Sequence, residues 1–286
     1  MKTPRAISFE KTNNDAFTLI DLVAVVLISG ILGALLLPAL ASTKPNSQAF
    51  QCVENQRQLA RGWQMYAQDN DGRLARNGDE GSQPISPADT TSAHASQWCP
   101  GRVDAGAPNI TDLTNILWIK AGCIYPYVNQ PGVYRCPADV STATIFGHQL
   151  LRVRSISMNA WIGPYNIWNP SVNGRIFYKE SDLGVMGAAN VWLFMDENPY
   201  SINDGCMAEF TPPGPTTAAN LTWVDYPASY HNGGAGISFC DGHAQIRKWT
   251  DATVLNLRTL NPPSMPSNPQ NCPDLPWLQA HTTRPN

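Results

Sequence analysis

The feature that most constrains this chain is residues 17–41, FTLIDLVAVVLISGILGALLLPALA, in which a single charge, Asp21, stands fifth. At about 1.5 Å per residue this run makes a helix of roughly 37 Å, longer than a hydrocarbon core of about 30 Å, so the expectation is a membrane-spanning helix. The competing expectation is a cleaved secretory signal. Its apolar part is shorter, about 7–15 residues, and a small-x-small cut site follows it, which Ala39-Leu40-Ala41 imitates. The order of parts favours the span, because a charged leader (residues 1–16, with Lys2, Arg5, Glu10, Lys11 and Asp15) comes first and the recognisable junction precedes the apolar run. Basic residues outnumber acids in the leader, which places the N-terminus in the cytoplasm and everything after residue 41 in the periplasm.

Beyond the run, Cys52, Gln56, Leu59, Ala60, Trp63 and Ala67 recur as one stripe of an amphipathic helix, with Glu54, Arg57, Gln58, Arg61 and Gln64 on the polar side. Lys44-Pro45-Asn46 is expected to interrupt or kink this helix, and Asp69-Asn70-Asp71-Gly72 to end it, with Gly72 as a left-handed cap. The organisation that follows is a leader (1–16), a transmembrane or filament-core helix (17–41), an amphipathic helix (42–72), a periplasmic globular domain (73–260) and a Pro-rich tail (261–286). The tail is expected to wrap over the domain as an extended segment. Within the domain the pattern predicts strands at 133–136, 152–161 and 191–195, the last a buried central strand, and a helix over 251–260.

The clearest local signal is residues 236–249, where alternating runs flank Asp241-Gly242, the pattern of a two-residue hairpin. That register pairs Cys240 with His243, Phe239 with Ala244, Ser238 with Gln245 and Ile237 with Ile246. Ile237, Phe239, Ala244 and Ile246 then share the core face. The fold class expected is α+β: a long N-terminal membrane-spanning helix packed on a mainly antiparallel sheet, with long loops.

Net charge is −3, without a basic stripe, which excludes nucleic acid as a partner. Only 14% of residues are charged, beside 24 Pro and 21 Gly, as in loop-rich extracytoplasmic proteins. The seven Cys include no C-x-x-C pair, which argues against a zinc ribbon. Disulfides are allowed in the periplasm, with Cys123–Cys136 the nearest local pairing.

Ala16, Phe17, Thr18, Leu19, Ile20 and Asp21 resemble the N-terminus of type IV prepilins and type II secretion pseudopilins. That family has a small residue, normally Gly, at the cut, then Phe-Thr-Leu-Ile and an acid, normally Glu, at the fifth mature position. Pro38 also falls where the family often has a helix-weakening proline. His231, nine intervening residues and Asp241-Gly242 resemble the C-terminal His-x9-Asp-Gly signature of a large planctomycete and verrucomicrobial group of prepilin-type proteins. Residues 52–59, 65–70, 134–139 and 201–205 also look like that group. The resemblance implies a pilin-like fold and cleavage between Ala16 and Phe17 by a prepilin peptidase, followed by methylation of the new amine. It further implies location in the bacterial inner membrane and assembly with other pilin or pseudopilin subunits, with Asp21 pairing to the Phe17 amine of a neighbour. Ala16 in place of Gly keeps open an unprocessed, membrane-anchored periplasmic protein that binds glycan or another surface ligand.

Metal binding is the remaining chemistry to weigh. The major pseudopilins that this chain resembles bind calcium in a C-terminal loop, and His231, Asp241, His243, Asp196, Glu197, Asn203 and Asp204 include hard-oxygen donors of the kind calcium takes. Asp196, Asn203, Asp204 and Asp241 are the candidate Ca2+ ligands; the alternative is that these acids belong to turns and His231 bonds backbone. There is no H-E-x-x-H, no G-x-S-x-G and no phosphate-cradling loop, so no enzyme is expected; a metal-dependent hydrolase would require an ion on His231 and Asp241. Trp98, Trp118, Trp161, Trp168 and Trp223 would serve either as a sugar-stacking face or as core.

Overall fold

The computed structural model describes residues 19–78, 86–88, 95–104, 106–107, 109–163, 174–208, 222–258, 265–266 and 273–284, with the side chains of 33–46, 222 and 265–266 excepted. The leader, with Ala16 and Phe17, lies outside the described residues, as does Trp168. The chain divides into two compact units, Met1–Lys44 and Pro45–Asn286.

Helix α1 runs continuously over Leu19–Asp69, so the interruption expected at residues 44–46 does not occur. The membrane-spanning expectation is also corrected: among the described residues no helix is long and apolar enough to cross a membrane.

In the second unit the helical stripe packs as its spacing requires: Cys52, Gln56, Leu59, Ala60, Trp63 and Ala67 are all buried. The helix closes where Gly72, at φ +73°, donates its N–H to the Ala67 carbonyl at 2.8 Å. Short helices α2 (Ile116–Lys120) and α3 (Tyr125–Val128) follow. The segment expected as a strand at 133–136 is instead a 3-10 turn, Pro131–Tyr134, with Pro at its first position, where a missing N–H costs nothing.

Strands β1 (Thr142–Ile145) and β2 (His148–Leu151) form an isolated antiparallel ribbon, turned by Phe146 and Gly147, both at positive φ. The long strand expected over 152–161 shrinks to β3 (Ile156–Asn159). With β4 (Trp192–Asp196), β5 (Cys206–Met207), β7 (Gly234–Phe239) and β8 (Ala244–Lys248) it builds a five-stranded sheet ordered β5-β3-β4-β7-β8; β6 (Thr222–Trp223) pairs elsewhere with β9 (Met265–Pro266). The β3–β5 pair is parallel and the other three pairs antiparallel, so the class is α+β with a mixed sheet.

Every residue of β4 and β7 is buried, because the sheet is covered on both sides. Leu59, Trp63 and Ala67 of α1 pack with Met158, Phe194 and Cys240 on one face. Met195, Ile237 and Phe239 pack on the other with Trp249, Val254 of α4 (Ala252–Asn256) and Leu275 and Leu278 of α5 (Asp274–Thr282). The tail expected as extended therefore contributes a helix. Pro276 sits in its first turn, where proline is tolerated, and the Asp274 carboxylate accepts from the N–H groups of Thr250 and Asp251 at 2.5 and 2.8 Å.

The 236–249 hairpin forms with a different register. Ser238 faces Ala244, Ile237 faces Gln245 and Gly236 faces Ile246. The loop holds three residues, 240–242: Phe239 N–H donates to the His243 carbonyl and Gly242 N–H to the Phe239 carbonyl, both at 2.9 Å. Gly242 at φ +92° makes the left-handed bulge that absorbs the extra residue, and Asp241 Oδ1 accepts from His243 N–H at 3.1 Å. A one-residue change turns the second arm over, so Ala244 and Ile246 lie on the face of Gly236 and Ser238, not of Ile237 and Phe239.

Candidate functional site

Four chain segments deliver ligand-type atoms to one buried point. Cys52 comes from the apolar stripe of α1, Cys136 from just past the 3-10 turn, Asp196 from the end of central strand β4, and His231 from the turn that enters β7. The turn's shape follows from Asn232 and Gly233 at positive φ, and it closes with His231 N–H donating to the Gly234 carbonyl at 3.0 Å. All four side chains are buried, and their ligand atoms lie within 4.8 Å of one another. Cys52 Sγ donates to Asp196 Oδ2 at 3.0 Å, Cys136 Sγ stands 3.2 Å from His231 Nε2, and that nitrogen is 3.7 Å from Asp196 Oδ2.

The surroundings fix these atoms from behind. Gly236 N–H donates to Asp196 Oδ2 at 2.9 Å and Gln56 Nε2 to Oδ1 at 3.4 Å, while the Gln56 carbonyl oxygen accepts from Ser238 Oγ at 3.1 Å. Cys136 donates its own N–H to Ser155 Oγ at 2.8 Å and accepts the Ala138 N–H on sulfur at 3.4 Å. Gly236 supplies room: a Cβ there would stand 2.4 Å from Cys52 Sγ, nearer than real Cβ contacts allow.

The electrostatics follow from burial and partners. Burial disfavours a charged His231 ring, yet the bonds and charges of Asp196 and Cys136 outweigh it and raise the ring to about 9. The Cys52 thiol is pushed well above its ordinary value by its bond to Cys136, by burial and by the Asp196 charge. A buried carboxylate, an imidazole and two sulfurs thus satisfy one another in a space shut off from water.

Of the residues weighed from the sequence as metal ligands, Asp196 and His231 meet here. Among the described residues the metal-ligating group that forms joins them to Cys52 and Cys136, and not to Asp204 or Asp241. Asp204 Oδ1 accepts the Cys206 N–H, and Asn203 Oδ1 the Asp204 N–H. Asp241 and Gly242 form the hairpin turn, where Asp241 pairs with His243 at 2.6 Å. Among the described residues the acids of the calcium set, Asp196, Asp204 and Asp241, are not gathered into one ligand group, and the donors that do assemble include two thiols and an imidazole, which do not suit an ion that takes six to eight oxygens. The His-x9-Asp-Gly spacing gains a physical meaning, since it is the length of one hairpin arm between a buried histidine and the bulge that turns the strand.

The Cys123–Cys136 pairing is corrected as well. Both thiols are free, Cys123 Sγ donating to the Ser96 carbonyl at 3.2 Å while Cys136 turns to His231. Trp98, Trp118, Trp161 and Trp223 are buried, so the sugar-stacking face does not form from them. Sequence reasoning missed Cys52 and Cys136. Cys52 reads as one more apolar residue of its stripe, and the signal was Gln56 one turn on, a polar side chain at a core position. Comparison with protein-family models, with curated proteins and with solved structures found no match to this chain.

Proposed function

We propose that the chain is a structural, non-catalytic subunit of a type IV pilus-like filament or a type II secretion pseudopilus. It is processed between Ala16 and Phe17 by a prepilin peptidase, and its globular unit stands on the periplasmic face of the inner membrane. The observation that carries this reading is the start of α1. Leu19, Ile20, Leu22, Val23, Val25, Val26, Leu27, Ile28, Ile31 and Leu32 are each at least 50% exposed, so this part of the helix is apolar all round. Apolar surface is worth about 25 cal/mol per Å² when removed from water, and a helix without a polar face must find an apolar partner. The same segment of neighbouring copies offers one of matching length and chemistry. The sequence resemblance at residues 16–21 supports the same reading.

Asp21 lies exposed among these residues, and in this reading it selects register by pairing with the Phe17 amine of a neighbour. A charge in an apolar helix bundle is costly unless paired, about 2.5–3.5 kcal/mol on membrane-insertion scales, so the pairing discriminates between registers. The test is assembly in cells that carry a prepilin peptidase. Val26→Arg and Asp21→Leu should leave the globular unit folded, by circular dichroism of the purified chain, while sheared filaments or cross-linked oligomers disappear. Oligomers of Val26→Arg at normal abundance would overturn the reading.

A further inference from the structure

We propose that Cys52, Cys136, Asp196 and His231 form a structural zinc site that clamps helix α1 to the sheet. The donor set is the first argument. Two sulfurs, one imidazole nitrogen and one carboxylate oxygen are the ligand types of four-coordinate zinc, and the soft pair of thiolates selects zinc over magnesium or calcium.

Distance is the second. Ligands placed tetrahedrally at about 2.0–2.3 Å from zinc stand roughly 3.3–3.8 Å apart, and the separations here are 3.0, 3.2 and 3.7 Å. These are three of the six edges of a four-donor polyhedron, and the four ligand atoms all lie within 4.8 Å of one another.

Support from behind is the third. Zinc ligands are held by outer hydrogen bonds, and here Gly236 N–H and Gln56 hold the carboxylate while the Ala138 N–H points at the Cys136 sulfur. Gly236 keeps open the space that the Cys52 sulfur occupies. All four ligands are buried, which leaves no open position for a reacting water, so the site is structural.

Binding releases the thiol protons of Cys52 and Cys136 and the proton on His231 Nε2, and sets two thiolates, one carboxylate and a neutral imidazole around a divalent ion. The loaded site carries a residual charge of −1, two thiolates and one carboxylate against a divalent ion. The four ligands are far apart in sequence, so the ion also closes long loops and adds its binding energy to folding.

The test uses the full chain purified in detergent under reducing conditions, with zinc counted by mass spectrometry and cobalt exchanged into the protein. The result expected is about one zinc per chain, and a cobalt form with tetrahedral d–d bands and a thiolate-to-cobalt charge-transfer band. Cys136→Ser and His231→Gln should weaken zinc binding by roughly tenfold or more, Gly236→Ala should weaken it by crowding Cys52, and Cys123→Ser should leave it unchanged. Circular dichroism of each variant separates loss of metal from loss of fold, and the cobalt spectrum of the unaltered chain depends on no variant. Two results would overturn the site: a metal-free chain whose two thiols alkylate after zinc is offered, or zinc retained in full by Cys136→Ser and His231→Gln alike.

Discussion

Asp204 and Glu197 show how differently two acids of similar prominence in the sequence are used from Asp196. Burial raises the Asp204 carboxyl to about 7, and burial with the nearby Asp225 charge pushes Glu197 well upward too. An acid whose folded value lies above its unfolded value of about 3.9 binds more protons when folded, so its contribution to stability falls as pH rises from about 4 to about 7 and stays low above that. Asp204→Asn keeps an oxygen to accept the Cys206 N–H and carries no charge. It should remove a loss of roughly 1–3 kcal/mol across that window, measured by urea unfolding at the two ends. An unchanged pH slope in the variant would show that Asp204 is ionised at little cost. None of this was legible in the sequence, where Asp196, Asp204 and Asp241 differ only in their neighbours. Asp196 ends a continuous apolar run and Asp241 precedes a glycine; only the first of these contexts announces burial.

The elements were legible to the extent that a period carried them. The stripe from Cys52 to Ala67 has one period and one face, and it buries as written; Leu59→Ala should therefore cost about 2–5 kcal/mol in chemical unfolding, the range for a fully buried leucine. The hairpin was legible as an element and not as a register. Asp-Gly marks a turn in either loop length, and the choice of three residues lies in the Gly242 backbone, which the letters do not show. Gly242→Ala puts a side chain at φ +92°, and its Cβ would lie 3.3 Å from the Gln64 amide. A loss of about 1–2 kcal/mol in unfolding free energy is expected, with the fold retained. A variant as stable as the parent would contradict the left-handed bulge. Helix α5 was hidden by its prolines. Its anchors are long-range: the Asp274 carboxylate bonding the backbone that leads into α4, and Arg247 lying 3.4 Å from the centre of the Trp277 ring.

For the molecule as a whole, the sequence conveyed an apolar N-terminal helix and an α+β body. Length counted in letters suggested a membrane span, whereas among the described residues no helix is long and apolar enough to cross one; the apolar side chains of residues 19–32 stand exposed. The self-assembly proposed above would account for both the apolarity of that segment and the acid within it. A metal clamp at Cys52 would complement such assembly by fixing α1 to the sheet of its own subunit. The direct measurement is the mass of the N-terminal peptide from the full chain expressed with and without a prepilin peptidase. The account predicts a new terminus at Phe17 bearing one methyl group, only when the peptidase is present. An intact leader in both samples, or a terminus near Ala41, would contradict it.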